Sequence, residues 1–117
     1  MLRTVLKSKI HKAHITEANL HYQGSVTIDE TLMHKADIMQ WEKVEVLNLN
    51  NGSRIETYAM KGKKNSGRIC LNGSAARSGA VGDEVIIVSY ATIEDTRTDS
   101  IKPKIIHVDA QNRPKRR

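Results

Sequence analysis

The clearest structural signal in this sequence is a pair of alternating apolar and polar runs at residues 43–60, "KVEVLNLNNGSRIETYAM". Successive side chains of a β-strand point to opposite faces, so each run predicts a strand with one buried face. Asn51-Gly52 lies between the runs, and this dipeptide favours the type I′ turn of a tight hairpin. The chain is therefore expected to contain an antiparallel hairpin and to be rich in β-strand.

The remaining segments predict further strands and one or two short helices. Strands are predicted where apolar, β-branched residues run together, at residues 1–15, 67–73, 84–93 and 104–109. Apolar residues recur at helical spacing across 29–38, which predicts a helix that Thr27 or Asp29 can cap. Residues 74–79 can form a single helical turn. Many short strands with little helix describe a small barrel or sandwich.

The composition indicates one small domain over residues 1–117. Phe is absent and Trp occurs once, so Val, Ile and Leu must form the core. The single cysteine, Cys70, excludes an internal disulfide and fits a reducing compartment. No apolar run is long enough for a signal peptide or a membrane span, so we expect a cytoplasmic protein with no membrane partner.

The net charge of +6 raises the question of nucleic acid as a partner. The excess of Lys and Arg lies in residues 1–14 and in residues 111–117, "QNRPKRR", which leaves the middle of the chain near neutral. We expect the C-terminal basic stretch to be a disordered tail. One Trp and three Tyr offer few platforms for base stacking, so no nucleic-acid partner is expected. The alternative function is that of a small basic β-barrel that binds nucleic acid or a partner protein.

Three histidines, His11, His14 and His21, suggest a metal site, but a strand does not place three imidazoles at these spacings on one face. No carboxylate or cysteine accompanies them at a ligand spacing, so we expect no metal. Ser25 with a nearby histidine has the residue types of a hydrolase, yet no nucleophile-elbow motif surrounds it. A metal-dependent or serine hydrolase is therefore a weaker alternative.

The second strand of the hairpin is expected to carry Arg54 and Tyr58 on one face and Thr57 on the other. An Arg and a Tyr along one face can hold a carboxylate and deliver a proton. A Tyr packed across the strands beside a solvated Arg is the simpler structural interpretation. The backbone N–H groups of Gly73-Ser74-Ala75 can bind an anion, and here a plain turn is the simpler explanation.

Four blocks stand out when the sequence is taken as a whole, and in chain order they are "HYQGSVTID", "NGSRIETYA", "LNGSAAR" and "VGDEVIIVSYA". Taken together, they resemble the aspartate 1-decarboxylase family. The resemblance runs from about Arg3 to about Thr92 and fades from Glu94 onward, and Ser74 stands where the family often has Ala. It implies a six-stranded double-psi β-barrel and a homotetramer with sites between neighbouring subunits. The implied reaction converts L-aspartate to β-alanine and CO2 on the route to pantothenate.

The resemblance also implies that the chain cleaves itself between Gly24 and Ser25. The Ser25 Oγ attacks the Gly24 carbonyl to form an ester, elimination leaves a dehydroalanine, and hydrolysis releases ammonia and leaves a pyruvoyl group at residue 25. The products are a β chain of residues 1–24 and an α chain of residues 25–117. Glycine suits the attacked position because it has no Cβ and tolerates unusual dihedral angles. Thr57 takes the role of oxyanion donor, and some members of the family need an accessory maturation protein.

For turnover, the resemblance implies that the substrate amine forms a Schiff base with the pyruvoyl group derived from Ser25, which acts as an electron sink. No PLP and no metal are then required. Tyr58 is expected to protonate the product carbanion, and Arg54 and Lys9 are expected to bind the substrate carboxylate. The other residues that the resemblance assigns to substrate contact or to the border of the pocket are Thr57, Gly73, Ser74, Ala75, Tyr22 and His11.

Overall fold

The computed structural model describes residues 1–96 and 101–115, and β-strand is its main element. The strands are β1 (Leu2–His14), β2 (Glu17–Asn19), β3 (Ser25–Asp29), β4 (Lys43–Asn48), β5 (Arg54–Gly62), β6 (Ile69–Asn72), β7 (Glu84–Glu94) and β8 (Lys104–His107). Two short helices accompany them, α1 (Glu30–Lys35) and a 3₁₀ helix (Gly73–Ser78). The prediction of a mainly β fold with one or two short helices is therefore confirmed.

The strands form one sheet in the order β2-β6-β3-β5-β4-β7-β1-β8. This order is two strands longer than the six expected, because the short strands β2 and β8 extend its two ends. Only Ile15 and Thr16 separate β1 from β2, although these strands lie near opposite ends of the order. The sheet must therefore curl, and Thr16 N donates to the Ile69 carbonyl of β6 at 2.8 Å. The ladder itself is not closed, and the curled sheet is consistent with a double-psi barrel.

The core is built from Val, Ile and Leu, as the lack of Phe requires. Ile10 of β1 pairs with Ile87 of β7, which pairs in turn with Val46 of β4, so one row of aliphatic side chains crosses three strands. All three are buried. Burial of such a side chain contributes about 1.5–3 kcal/mol, and this row defines the inner face of the sheet. None of the helices in residues 1–96 and 101–115 is long and apolar enough to cross a membrane.

The predicted helix is present but shorter than expected, and Asp29 rather than Thr27 caps it. The Asp29 carboxylate is buried and accepts hydrogen bonds from the backbone N–H groups of Thr31, Asn65 and Gly67, each at 2.9 Å. The helix ends at Lys35 because Asp37 has a φ of 56°, outside the helical region. One carboxylate thus joins the start of α1 to the loop before β6.

The hairpin is confirmed, but the prediction of a type I′ turn at Asn51-Gly52 is wrong. Only Gly52 of this pair has a positive φ, 77°, whereas a type I′ turn needs two such residues. The Asn48 side chain accepts from the N–H groups of Asn50 and Asn51, at 2.8 and 3.2 Å. This side chain stabilises a wider loop, residues 49–53, between β4 and β5.

The C-terminal segment differs from the disordered basic tail expected over residues 111–117. Asn112 is only 1% exposed, and its Nδ2 donates to the carbonyl oxygens of His14 and Gly67, each at 2.8 Å. Its Oδ1 accepts from His14 N at 2.7 Å. One amide side chain therefore satisfies two backbone groups at the end of β1 and one in the loop before β6, and it holds this part of the tail on the sheet. The last two residues of the chain lie outside the described residues.

Candidate active site

Ser25 begins β3, and its side chain is buried between two strands. Val26 points into the core, so the Ser25 and Thr27 side chains lie on the opposite, outer face of the sheet. Asn72 is the residue directly across from Ser25 on β6. The Asn72 Nδ2 lies 2.9 Å from the Ser25 Oγ and 2.9 Å from the Thr27 Oγ1. One amide therefore holds both hydroxyl groups.

A cleft of about 410 Å³ opens over Ser25 on the outer face of β6, β3 and β5. Its lining includes Tyr22 and Tyr58, and the Tyr58 ring stacks on Trp41 with 5.8 Å between ring centroids. Stacking on Trp41 restricts the ring of Tyr58 in the wall of the cleft. The structure thus brings together Ser25, Tyr22 and Tyr58, three of the residues predicted to form the site.

Gly73 lies directly against the backbone that precedes Ser25. It follows Asn72 at the end of β6 with a φ of 63°, in the left-handed region that favours glycine. A Cβ at Gly73 would lie 2.7 Å from the Tyr22 carbonyl oxygen and 2.8 Å from Gly24 N. A Cβ at Gly24 would meet nothing closer than the Ser74 Oγ, at 3.9 Å. Any side chain at Gly73 would therefore clash with the backbone of Tyr22 and Gly24, directly before the Gly24–Ser25 bond.

Thr57, Ser74 and Ala75 line a second pocket rather than the cleft over Ser25. Thr57 and Tyr58 are neighbours on β5, so their side chains point to opposite faces, as expected. The Ser74 Oγ, near Gly24, connects this pocket to the segment that contains the Gly24–Ser25 bond. The predicted site residues are thus divided between two pockets: Ser25, Tyr22 and Tyr58 line the cleft, and Thr57, Ser74 and Ala75 line the second pocket.

Arg54 and Lys9 do not line the cleft over Ser25 in this chain. Arg54 lies on the Tyr58 face of β5, where its Nη2 is 3.4 Å from Glu45 Oε1 and its side chain is 60% exposed. Lys9 shares this outer face, since it pairs with Val88, which is opposite Glu45 on β4. Two strands, β4 and β7, separate Lys9 from Arg54. The two cations thus lie on the same face of the sheet as Tyr58, but neither lines the cleft over Ser25.

Two of the three histidines considered as metal ligands, His11 and His14, contact other side chains. The His11 ring contacts His107 edge to face at 5.3 Å between centroids, and His14 Nε2 lies 3.5 Å from Glu84 Oε2. Burial lowers the pKa of His11, and the charges of His107 and Lys12 lower it further. His11 also lies away from the cleft over Ser25. Across the described part of the chain, no three His, Cys, Asp or Glu side chains are grouped as metal ligands.

Several cleft residues were not predicted from the sequence, and Asn72 is the most important of them. Arg68 and Lys61 add two cations to the cleft walls, which suits a substrate with carboxylates. Arg68 Nη2 lies 3.2 Å from Glu17 Oε1, and Lys61 Nζ lies 3.7 Å from Glu30 Oε2. The only local signal for Asn72 is a polar residue at the end of an apolar strand, next to a glycine. Its partners on β3 are distant in the sequence.

Comparison with known proteins identifies the family. A family model described as aspartate decarboxylase matches residues 1–115. The chain belongs to the aspartate decarboxylase family. The match extends beyond Thr92, where the sequence resemblance was expected to fade, and includes most of the C-terminal segment.

Curated members of the aspartate decarboxylase family align over nearly the whole chain. The aspartate 1-decarboxylase of Thermoanaerobacter pseudethanolicus is 56% identical over 114 residues, which cover 97% of each chain. That of Caldicellulosiruptor saccharolyticus is 57% identical over 115 residues, 97% of this chain and 88% of the relative. That of Leptospira biflexa serovar Patoc is 50% identical over 117 residues, 99% of each chain. The resemblance inferred from the four sequence blocks is confirmed.

Proposed function

We propose that this chain cleaves itself between Gly24 and Ser25 and then decarboxylates L-aspartate to β-alanine and CO2, a step toward pantothenate. Membership of the aspartate decarboxylase family supports the reaction. The structural observation that carries the proposal is the position of Ser25. Its hydroxyl group is held by an amide at the base of a cleft, directly after a glycine.

In the proposed maturation, Ser25 Oγ is the nucleophile and the Gly24 carbonyl carbon is its target. Gly24 has no Cβ to obstruct the approach, and Gly73 supports the backbone from the other side. Asn72 restricts the Ser25 side chain by its hydrogen bond. Thr57 is the proposed donor to the developing oxyanion, from the side of the bond where Ser74 also lies. The proposed products are residues 1–24 and residues 25–117.

The residues around position 25 fit a pyruvoyl group. In a pyruvoyl group the ketone would lie on Cα and Cβ would be a methyl group; Asn72 Nδ2, which now donates to the Ser25 Oγ, is the nearby donor that could serve the ketone oxygen. A pyruvoyl carbonyl supplies the electron sink that decarboxylation of an amino acid needs, so the proposal requires neither PLP nor a metal. The cleft leaves room beside this position for a small substrate.

The proposed turnover uses Tyr58 as proton donor, because Tyr58 lines the same cleft as residue 25. Arg54 and Lys9 are proposed to bind substrate carboxylate in a homotetramer whose sites lie between subunits. The exposed Arg54 guanidinium and the outer face it shares with Lys9 support this arrangement, since a neighbouring chain can meet that face. Desolvated carboxylates need charged, hydrogen-bonded partners. Tyr22, Gly73, Ser74 and Ala75 complete the proposed pocket, with His11 at its border.

The test of this function is a gel and an intact-mass measurement on freshly purified protein, followed by an assay for β-alanine. We expect two chains, 1–24 and 25–117, with the larger one lighter by one ammonia than a peptide that begins with serine. Ser25→Ala should abolish both cleavage and activity, since no side-chain oxygen remains to attack. A single full-length species that persists on warming would contradict the proposal.

The alternative of a small basic barrel that binds nucleic acid or a partner protein is not favoured. The family match over residues 1–115 includes residues 1–14 and most of residues 111–117, so the basic ends do not set this chain apart from the aspartate decarboxylase family. A homotetramer, an accessory maturation protein and a cytoplasmic location stay predictions of the proposed function. Light scattering on the cleaved enzyme tests the first of them.

A further inference from the structure

Besides Ser25 and Thr27, the Asn72 side chain has a third partner, which lies two residues earlier on the same strand. Cys70 is fully buried two residues earlier on β6, so both side chains lie on one face. The Cys70 Sγ lies 3.1 Å from the Asn72 Oδ1, while the Asn72 Nδ2 contacts the Ser25 and Thr27 hydroxyl oxygens at 2.9 Å each. A line of hydrogen bonds therefore runs from Cys70 through Asn72 to Ser25.

We infer that Cys70 is a positioning residue for cleavage of the Gly24–Ser25 bond: its thiol donates to Asn72 Oδ1 and so determines which end of the amide faces Ser25. This inference rests on the proposed self-cleavage. Cys70 does not touch the reacting atoms, and it acts only through the orientation of Asn72.

The Asn72 amide needs such a partner because its other contacts accept either orientation. The Ser25 and Thr27 hydroxyl groups can each donate or accept, so they would pair with either the nitrogen or the oxygen of the amide. Cys70 adds a third group beside the amide: its S–H, a weak donor, lies against the amide oxygen, and its sulfur is only a weak acceptor. An amide turned by 180° would direct its N–H groups at sulfur and lose the bond that Cys70 now makes.

The thiol is in the protonated state that this role requires. Burial raises the pKa of the Cys70 thiol, and the charge of Glu17 raises it further, while Arg68 opposes the shift. The proton therefore stays on sulfur at neutral pH. The other acceptor near Sγ is the Leu71 carbonyl oxygen at 3.9 Å, which is much farther than Asn72 Oδ1.

The orientation matters for the Ser25 proton. With Nδ2 toward Ser25, the Ser25 Oγ accepts from Asn72 and does not donate its proton to it. In the turned amide, the hydroxyl group would donate to Oδ1 and hold that proton. The first step of cleavage forms a bond between Oγ and the Gly24 carbonyl carbon and breaks the C–N bond, which leaves the two segments joined by an ester. The hydroxyl proton leaves Oγ in this first step and ends on the freed nitrogen. Elimination then removes a proton from Cα, breaks the Cβ–Oγ bond and separates the two chains.

The experiment measures cleavage in the full chain made by cell-free translation, with the two fragments followed on gels after translation is stopped. Two matched pairs change the donor at nearly constant size: Cys70→Ser with Cys70→Ala, and Cys70→Thr with Cys70→Val. We expect the alanine and valine chains to cleave at least about fivefold more slowly than their hydroxyl partners, which is the effect of losing one buried hydrogen bond. Thermal unfolding of each pair, measured in the non-cleaving Ser25→Ala background, should agree within a few degrees.

A difference in cleavage without a matching difference in stability assigns the effect to the donor rather than to packing. Equal cleavage rates within each pair that folds would overturn the role of Cys70, and the second pair decides if one pair does not fold. A parent chain that never cleaves, like Ser25→Ala, would instead overturn the proposed self-cleavage. The two failures are therefore distinguishable.

Discussion

At the scale of single residues, Tyr58 is the side chain whose role can be separated most cleanly from maturation. Tyr58 lines the cleft over Ser25, and its ring stacks on that of Trp41. Tyr58→Phe keeps the ring and the stacking and deletes only the hydroxyl group. We expect cleavage to proceed normally and β-alanine formation to fall by about 10²–10⁴, the usual contribution of a general acid. Full decarboxylase activity in cleaved Tyr58→Phe protein would show that another group donates the proton.

A second question at this scale is which cations bind the substrate carboxylate, a group of residues that we call the carboxylate clamp. Two pairs of cations are available. Arg54 and Lys9 lie on the outer face away from Ser25, and Arg68 and Lys61 line the cleft of the same chain. We expect Arg54→Ala to lower kcat/KM for aspartate roughly thirtyfold or more, since loss of a paired charge leaves a buried carboxylate unsatisfied. Arg54→Lys should be nearly as harmful, because lysine lacks the planar fork.

The measurement is steady-state β-alanine production by fully cleaved variants, with Arg68→Ala as the matched control. Both guanidinium groups already have a glutamate partner, Glu45 at 3.4 Å for Arg54 and Glu17 at 3.2 Å for Arg68, so the comparison reports which of the two binds substrate, and the proposal expects the smaller loss for Arg68→Ala. If Arg54→Ala had no effect and Arg68→Ala had a large one, the clamp would lie within one chain rather than between subunits.

At the scale of elements, Asp29 joins α1, the loop before β6 and the end of β3. Its carboxylate accepts from the N–H groups of Thr31, Asn65 and Gly67. Asp29→Ala leaves these donors without their acceptor and should lower the free energy of unfolding by about 2–4 kcal/mol. Denaturant unfolding in the Ser25→Ala background measures this without interference from cleavage. Asp37→Asn is the control, because Asp37 lies just beyond the same helix and asparagine tolerates its positive φ as aspartate does, so this change should alter stability by less than about 0.5 kcal/mol.

At the scale of the whole molecule, Glu42 connects distant parts of the sheet. Its carboxylate accepts from Lys7 Nζ of β1 at 2.8 Å, from Met39 N at 3.0 Å and from the Ser89 hydroxyl of β7. Burial acts to raise the pKa of Glu42, but the hydrogen bonds from Lys7, Met39 and Ser89 outweigh it and the pKa is lowered. The charged form is therefore favoured in the folded state.

A lowered carboxyl pKa adds stability above the pKa of the unfolded chain, near 4.5, and this stability is lost as the pH falls through the folded value. We expect thermal stability to decline below about pH 4.5, and we expect Glu42→Gln to flatten that part of the profile. The readout is the unfolding temperature between pH 3 and pH 7, which covers both sides of this window. Parallel profiles for the parent and Glu42→Gln would contradict the assignment.

Local patterns in the sequence were sufficient to predict most of the strands and helices and to indicate the family. The hairpin, α1 and the buried strand Ile69–Asn72 follow from side-chain periodicity, which depends only on neighbours along the chain. The resemblance of four ordered blocks was sufficient to indicate aspartate decarboxylase, and the opposite faces of Thr57 and Tyr58 follow from strand geometry alone.

The tertiary structure decided what depends on pairing between distant segments. Asn72 meets Ser25 only because β3 pairs with β6, and Asn112 secures the C-terminal segment only because it reaches the backbone at the end of β1. No periodicity predicts such contacts, since each partner lies many residues away in the sequence. In the same way, Arg54 lies beside Glu45 rather than Ser25 because β5 pairs with β4 on that side. Strand order determines which side chains meet across the sheet, and that order forms only when the chain has folded.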